Sequence, residues 1–243
     1  MHSCPACRGR LSGRRITITC LAVLSALMAV LVLPQIGYLQ QVRHYSDHNP
    51  ELTAFMRERL NEMRAENRRA RIDHEWVDYS DISPVLIRAV IAAEDGRFLD
   101  HSGFDWEAMH TAWRAYRDEG RPLRGASTIS QQLAKNLFLS ETRSYTRKAR
   151  EAAITVMIEQ SMDKRRIIEL YVNVIEWGDG VFGIEAAARR FHGVAAADLD
   201  AWQAARLAAR IPRPRFYDHN GETTFLIRRA AMITQWLEYT SVP

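Results

Sequence analysis

Residues 89–106 read AVIAAEDGRFLDHSGFDW. The apolar run through Ile91, Ala92 and Ala93 is helix-like, and it gives way to two adjacent acids, Glu94 and Asp95. An aromatic (Phe98), a histidine (His101), a turn glycine (Gly103) and a further acid (Asp105) follow. A helix that has just buried an apolar face and then ends in a carboxylate pair beside a loop has two readings. One is a solvated helix end. The other is a catalytic base at the lip of a cleft.

Working outward, the chain is built for helices. Pro84 in ISPVLIRAVIAAED stands near a helix start, where its missing N–H is tolerated. In residues 151–178, Ile154, Met157, Ile158, Ile167, Ile168, Tyr171, Val174 and Ile175 keep helical spacing, with an interruption near Asp163. GIEAAARRF and DLDAWQAARLAARI are two more helices, the second stopped by Pro212 and Pro214. ELTAFMRERLNEMRAENRRA places Leu52, Phe55, Met56, Leu60 and Met63 on one face and charge on the other, which reads as a juxtamembrane amphipathic helix. Alternating strand patterns are nearly absent. The fold class is mainly α, and 243 residues suffice for one sizeable core.

The N-terminus carries a separate signal. From Ile16 to Val42 there is no charge, and Arg8, Arg10, Arg14 and Arg15 precede this run. Such a stretch is long enough to span a bilayer, and the positive-inside rule keeps its N-terminal side in the cytoplasm. We expect a cytoplasmic N-terminus (1–15), a transmembrane helix (16–39), a juxtamembrane helix (40–75) and a catalytic domain (76–243) outside the cytoplasm. The net charge of +4 could suit anionic lipid, nucleic acid or a phosphorylated substrate and does not choose among them; the topology then excludes nucleic acid. All three cysteines, Cys4, Cys7 and Cys20, precede the domain. The single C-x-x-C is half of a four-ligand zinc site.

Two further stretches could carry chemistry. In RGASTISQQLAKNLFLS (124–140), Thr128 and Gln131 fit a capping box, and Ile129, Leu133 and Leu137 form a buried stripe. Gln131 and Lys135 lie four apart, as do Gln132 and Asn136. A helix N-terminus with a nearby lysine can seat an anion; it can equally be an ordinary capped helix. In RSYTRKAREAAITVMIEQ, Arg147 and Lys148 can both neighbour Glu151, as a surface ion pair or as a cationic patch around a held carboxylate. HEWVD lacks the second histidine of a zinc-protease helix, and SMDK lacks the partner motifs of a serine acylase.

Together these stretches resemble the peptidoglycan glycosyltransferase family, glycosyltransferase family 51. Its motif E-D-x-x-F-x-x-H-x-G-x-D is met from Glu94 to Asp105, G-A-S-T-[IL]-[TS]-Q-Q-L-x-K-N from Gly125 to Asn136, and R-K-x-x-E from Arg147 to Glu151. RRIIELYVNVIEWGDGVFGIEAAARRF and AARLAARIPRP resemble the fourth and fifth motifs, and EWGDGVFG is similar to the monofunctional proteobacterial form. Arg213 stands where asparagine is common, and Gln203 where glutamate is common.

The resemblance implies a lysozyme-like, mainly α domain that polymerises lipid II into glycan strands at the inner membrane, with the domain in the periplasm. The acceptor 4-hydroxyl attacks the donor's anomeric carbon with inversion, forming a β-1,4 bond and releasing undecaprenyl pyrophosphate. It assigns the base to Glu94 and the pyrophosphate cations to Lys135, Arg147 and Lys148. Glu151 is the second essential acid; whether it orients those cations or binds a divalent metal (Mg2+ or Mn2+) stays open. Ser127, Thr128, Gln131, Gln132 and Asn136 would line the donor subsite, while Asp95, Phe98 and His101 shape the loop that holds Glu94. The implied partners are lipid II, the growing strand, the membrane and cell-division or wall-synthesis proteins. Two rivals are a lytic enzyme on the same fold, with Glu94 as general acid, and a non-catalytic membrane-anchored scaffold.

Overall fold

The computed structural model describes residues 17–22, 34–120, 127–140 and 144–243. The chain divides into two compact units, residues 1–41 and 42–243. In the first unit, residues 17–22 and 34–41 are helical. Among the described residues no helix is long and apolar enough to cross a membrane. The centre of the expected 16–39 span, residues 23–33, lies outside the described residues, as do Cys4 and Cys7.

The second unit is mainly helical. Helical residues 42–47 (α1) are followed by α2 (Ala54–Glu66), α3 (Pro84–Glu94), α4 (Trp106–Glu119), α5 (Ile129–Phe138), α6 (Tyr145–Ser161) and α7 (Lys164–Val174). Then come α8 (Ile184–His192), α9 (Ala201–Arg210), α10 (Pro214–Asn220) and α11 (Thr224–Trp236). A small sheet has the order β1 (Asp73–His74), β3 (Val181–Phe182), β2 (Glu176–Gly178), with β1 parallel and β2 antiparallel to β3. Strands of two or three residues are too short for alternation to register, which is why the sequence pattern did not disclose them.

The helix boundaries have local causes. Pro84 occupies the first turn of α3. The break near Asp163 is real: Met162 ends α6, and the Asp163 carboxylate accepts the Arg166 N–H at 2.8 Å to start α7. Asp200 and Gln203 form a reciprocal capping box on α9, so the glutamine needs no charge to do its work there. The two prolines behave differently from the expectation that both stop α9. Pro214 opens α10, at a position whose N–H has no intrahelical acceptor in any case.

Two packed groups of helices meet at the cleft. In one, α3 packs on α9 and α11. Leu86, Ile87, Val90 and Ile91 are buried on α3, and the alanines Ala204, Ala205 and Ala208 are buried on α9. Each large side chain so buried contributes about 1.5–3 kcal/mol. In the other group, α5 packs against α2, α6 and α7, with Ile129, Leu133 and Leu137 forming the buried stripe.

Helix α2 departs from the expected boundary. From residue 42 onward, the segment read as juxtamembrane shares one compact unit with the domain. The cause is where its apolar face turns. Phe55 and Met56 are buried, Phe55 meets Phe182 of β3 edge-on, and Arg59 bonds Glu176 at 3.2 Å and also pairs with Asp179. Arg166 of α7 donates to the Tyr45 and His48 carbonyls, tying down the end of α1. Gly183, which leads from β3 into α8, has φ +79° and ψ 148°, a region open essentially to glycine alone. A Cβ there would stand 3.0 Å from the Glu75 carbonyl oxygen and 3.1 Å from that of Asn173.

Candidate active site

Asp95 caps α3 and turns the chain into the loop. Its carboxylate is buried and accepts the backbone N–H of Ile129, the first residue of α5, at 2.9 Å. His101 Nε2 donates to the same carboxylate at 2.9 Å, while His101 Nδ1 accepts the Gly103 N–H at 3.2 Å. Thr128 completes the latch: its hydroxyl donates to the Gly103 carbonyl at 2.7 Å and caps α5 by accepting from Gln131 N. Phe98 is fully buried, with the Lys164 ammonium 4.5 Å from its ring centre. The loop 95–105 is therefore fastened to the N-terminus of α5, and Glu94 is fixed at its rim.

Glu94 is the last residue of α3, and its side chain is only 11 % exposed. Gln132 Nε2 donates to one carboxylate oxygen at 3.0 Å, and Arg229 Nη2 donates to the other at 3.1 Å. Arg229 Nη2 also reaches the Ala93 carbonyl. Gln132 is oriented in turn by the buried Tyr171, whose hydroxyl donates to Gln132 Oε1 at 2.9 Å. Burial pushes the Glu94 carboxyl above its usual range, Gln132 and Arg229 pull it back, and Asp95 pushes it up slightly. Such a carboxylate is a stronger base than an exposed one and stays ionisable because donors hold it. Burial also raises the Tyr171 phenol well above its normal value, helped by Glu94 and Asp95, so it remains a hydrogen-bond donor.

The cations come from two helices: Lys135 from α5, and Arg147 and Lys148 from the first turn of α6. Arg147 Nη1 donates to Glu151 Oε2 at 2.8 Å, and Lys148 pairs with Glu151 Oε1. Glu151 is buried at 4 % exposure, and Arg147 Nε is buried without an acceptor among the described residues. With Ser127, Gln131, Gln132 and Lys135, these three line a cavity of about 420 Å³. Glu94, Asp95, Ser127 and Thr128 line an adjoining cavity of about 210 Å³. Gln132, Lys135 and Asn136 border a third, of about 340 Å³, with Arg213, Arg215 and Phe216. Shared walls make these one groove along α5: Ser127 joins the first two, and Gln132 and Lys135 join the first and the third. It has an acid-base group at one end and fixed positive charge further on.

The structure thus brings Glu94, Ser127, Gln131, Gln132, Lys135, Asn136, Arg147, Lys148 and Glu151 to one groove. Thr128 also borders it, but its hydroxyl is committed to capping and to Gly103. Phe98 and His101 border none of the three cavities. A divalent ion fits poorly at Glu151. Each of its oxygens already holds a cation, and among the described residues no three His, Cys, Asp or Glu side chains converge to hold a metal.

Sequence reasoning missed Arg229, Tyr171 and Arg213. Arg229 had a signal: it lies on the face of α11 that buries Leu226, Ala230 and Ile233, where a lone cation needs a buried partner. Tyr171 had none, because an inward tyrosine in an apolar stripe reads as core. Arg213, which stands where asparagine is common, lines the groove beside Lys135.

Residues 59–238 match the family model described as Transglycosylase. A biosynthetic peptidoglycan transglycosylase of Laribacter hongkongensis is 49% identical over 219 residues, covering 90% of this chain and 96% of the relative. Another, of Azoarcus sp. (strain BH72), is 54% identical over 197 residues, covering 81% and 85%. A third, of Aromatoleum aromaticum, is 51% identical over 221 residues, covering 91% and 96%.

The carboxyl environment is directly measurable. In the Glu-labelled protein, NMR titration should place Glu94 above an ordinary glutamate. Replacing Arg229 with Met removes a cation that favours the carboxylate, so the Glu94 midpoint should move further up. An unchanged or lowered midpoint in that variant would contradict the geometry.

Proposed function

The chain belongs to the transglycosylase family, and from that premise we propose that it polymerises lipid II into peptidoglycan glycan strands, as an enzyme of cell-wall synthesis. The observation that carries this reading is the groove itself: a buried, donor-held carboxylate at one end, and further along it Lys135 of α5 and the Arg147–Lys148 pair fixed around Glu151 on α6.

The chemistry follows from that spacing of charge. The 4-hydroxyl of the acceptor is a poor nucleophile until a base takes its proton, and Glu94 is the base. As the oxygen attacks the anomeric carbon from the acceptor side, the bond from that carbon to the pyrophosphate oxygen breaks. The electron pair leaves on the pyrophosphate, and the linkage inverts from α to β. Lys135, Arg147 and Lys148 meet the charge that develops there, already oriented, so little reorganisation is needed in the transition state. Glu151 is a positioning residue that keeps Arg147 and Lys148 aimed along the groove. Ser127, Gln131, Gln132 and Asn136 supply polar contacts to the donor sugar. A lytic enzyme would have no use for a cation cluster of this kind.

Substitution separates the roles. Glu94→Gln keeps the shape but cannot accept a proton, so polymer formed from lipid II should fall by roughly 10²–10⁴ with the fold intact. Lys135→Ala and Arg147→Ala each remove a charge-assisted contact worth about 1.5–3 kcal/mol, or roughly ten- to a hundred-fold. Asp95→Asn should act through the loop and cost less than Glu94→Gln. Normal polymerisation by Glu94→Gln, or a deeper defect in Asp95→Asn, would overturn the assignment.

We further propose that residues 16–39 anchor the protein once in the inner membrane, with the domain from residue 42 in the periplasm, where a lipid-linked substrate lies. The support is the uncharged run behind four arginines. Reporter fusions after residue 45 should be active only in a periplasmic assay; cytoplasmic activity would reverse the topology.

A further inference from the structure

We propose that a second cavity, walled by α8, α9 and α10 and sharing no residue with the groove, binds a phosphate-type oxyanion through Arg210 and His192. The cavity measures about 260 Å³. Arg210 lines it and is 6 % exposed. The Arg210 guanidinium stacks on the Phe191 ring at 4.0 Å but forms no hydrogen bond or ion pair among the described residues, and its Nε is buried without an acceptor. A buried guanidinium without an acceptor is costly in a finished protein unless something else supplies one.

The neighbours do not supply it. Asp218 lines the same cavity, but it is engaged by Arg190 at 3.1 Å and by the Asp179 N–H at 2.9 Å. Glu222 pairs with Arg206. Arg190 and Arg206 thus each have a paired carboxylate, whereas Arg210 feels Asp218 only at longer range and has no acceptor of its own among the described residues.

His192 narrows the ligand chemistry. Its Nε2 is buried and unpartnered, while the ring hydrogen-bonds the Gln203 backbone, a bond that Nδ1 must therefore make. Burial and the nearby Arg206 and Arg210 hold the ring below its usual range, in the neutral form. A neutral imidazole whose Nδ1–H is committed offers a lone pair at Nε2. The site therefore presents a forked donor from Arg210 and an acceptor from His192. A carboxylate, which only accepts, satisfies half of it. A singly protonated phosphate, or a phosphate monoester carrying one proton, satisfies both: its anionic oxygens accept from Arg210 and its O–H donates to His192.

The test uses the full chain, labelled with 15N-histidine in detergent micelles and titrated with sodium phosphate. The His192 resonances should shift saturably with phosphate, not with sodium chloride or sodium acetate at matched ionic strength. The shift should vanish in Arg210→Met, weaken at least tenfold in Arg210→Lys, and persist in Lys135→Ala, whose lesion lies in the groove. In phosphate-free buffer Arg210→Met should be at least as stable as wild type, because it removes a buried cation that has no hydrogen-bond acceptor among the described residues. Short-chain phosphatidic acid acting at lower concentration than inorganic phosphate would identify a lipid headgroup as the source; the reverse order would identify free phosphate. No shift with either, an equal shift with acetate or chloride, or a shift that survives Arg210→Met would overturn the proposal.

Discussion

The carboxylate of Asp95 joins two segments that are 34 residues apart in the chain. It accepts the first N–H of α5, a group that no helix can satisfy from within, and so places negative charge where the helix dipole favours it. His101 holds the same carboxylate from the loop side, and Thr128 ties Gly103 to the helix cap. Because Asp95 follows Glu94 directly, this one buried contact fixes where α3 ends relative to where α5 begins. The distance from the Glu94 carboxylate to the rest of the groove is set there.

From that anchor α5 does two things at once. Ile129, Leu133 and Leu137 bury one face against α2, α6 and α7. The opposite side presents Gln132 and Lys135 to the groove. Gln132 is the hinge of the arrangement: it donates to Glu94 and accepts from the buried Tyr171, so its amide orientation is fixed from both ends. The carboxylate and the cations are thus held on three packed helices, α3, α5 and α6, and not on loops, and that is how a site keeps charge preorganised.

Much of this was legible in the sequence, for physical reasons. Helical periodicity, the Asp163 break and the Thr128–Gln131 cap depend on local spacing, so they could be read one segment at a time. The clustering of Arg147, Lys148 and Glu151 is a consequence of three- and four-residue spacing on one helix. What escaped depends on long-range packing. Arg229 reaches Glu94 across 135 positions of chain, and Tyr171 reaches Gln132 across 39. The turning of Phe55 and Met56 toward Phe182 also needed the fold, because an apolar helix face does not say whether lipid or protein will cover it. The same holds for Arg213, whose place beside Lys135 arises only once α10 folds against the groove.

Under the proposed function, this groove joins sugars with loss of pyrophosphate and does not cleave finished strands. The most direct test incubates the purified full-length chain in detergent with radiolabelled lipid II and, separately, with purified glycan strands. The prediction is one undecaprenyl pyrophosphate released for each β-1,4 bond formed, and no new reducing ends from the strands. Shortening of the strands, with lipid II left intact, would contradict it.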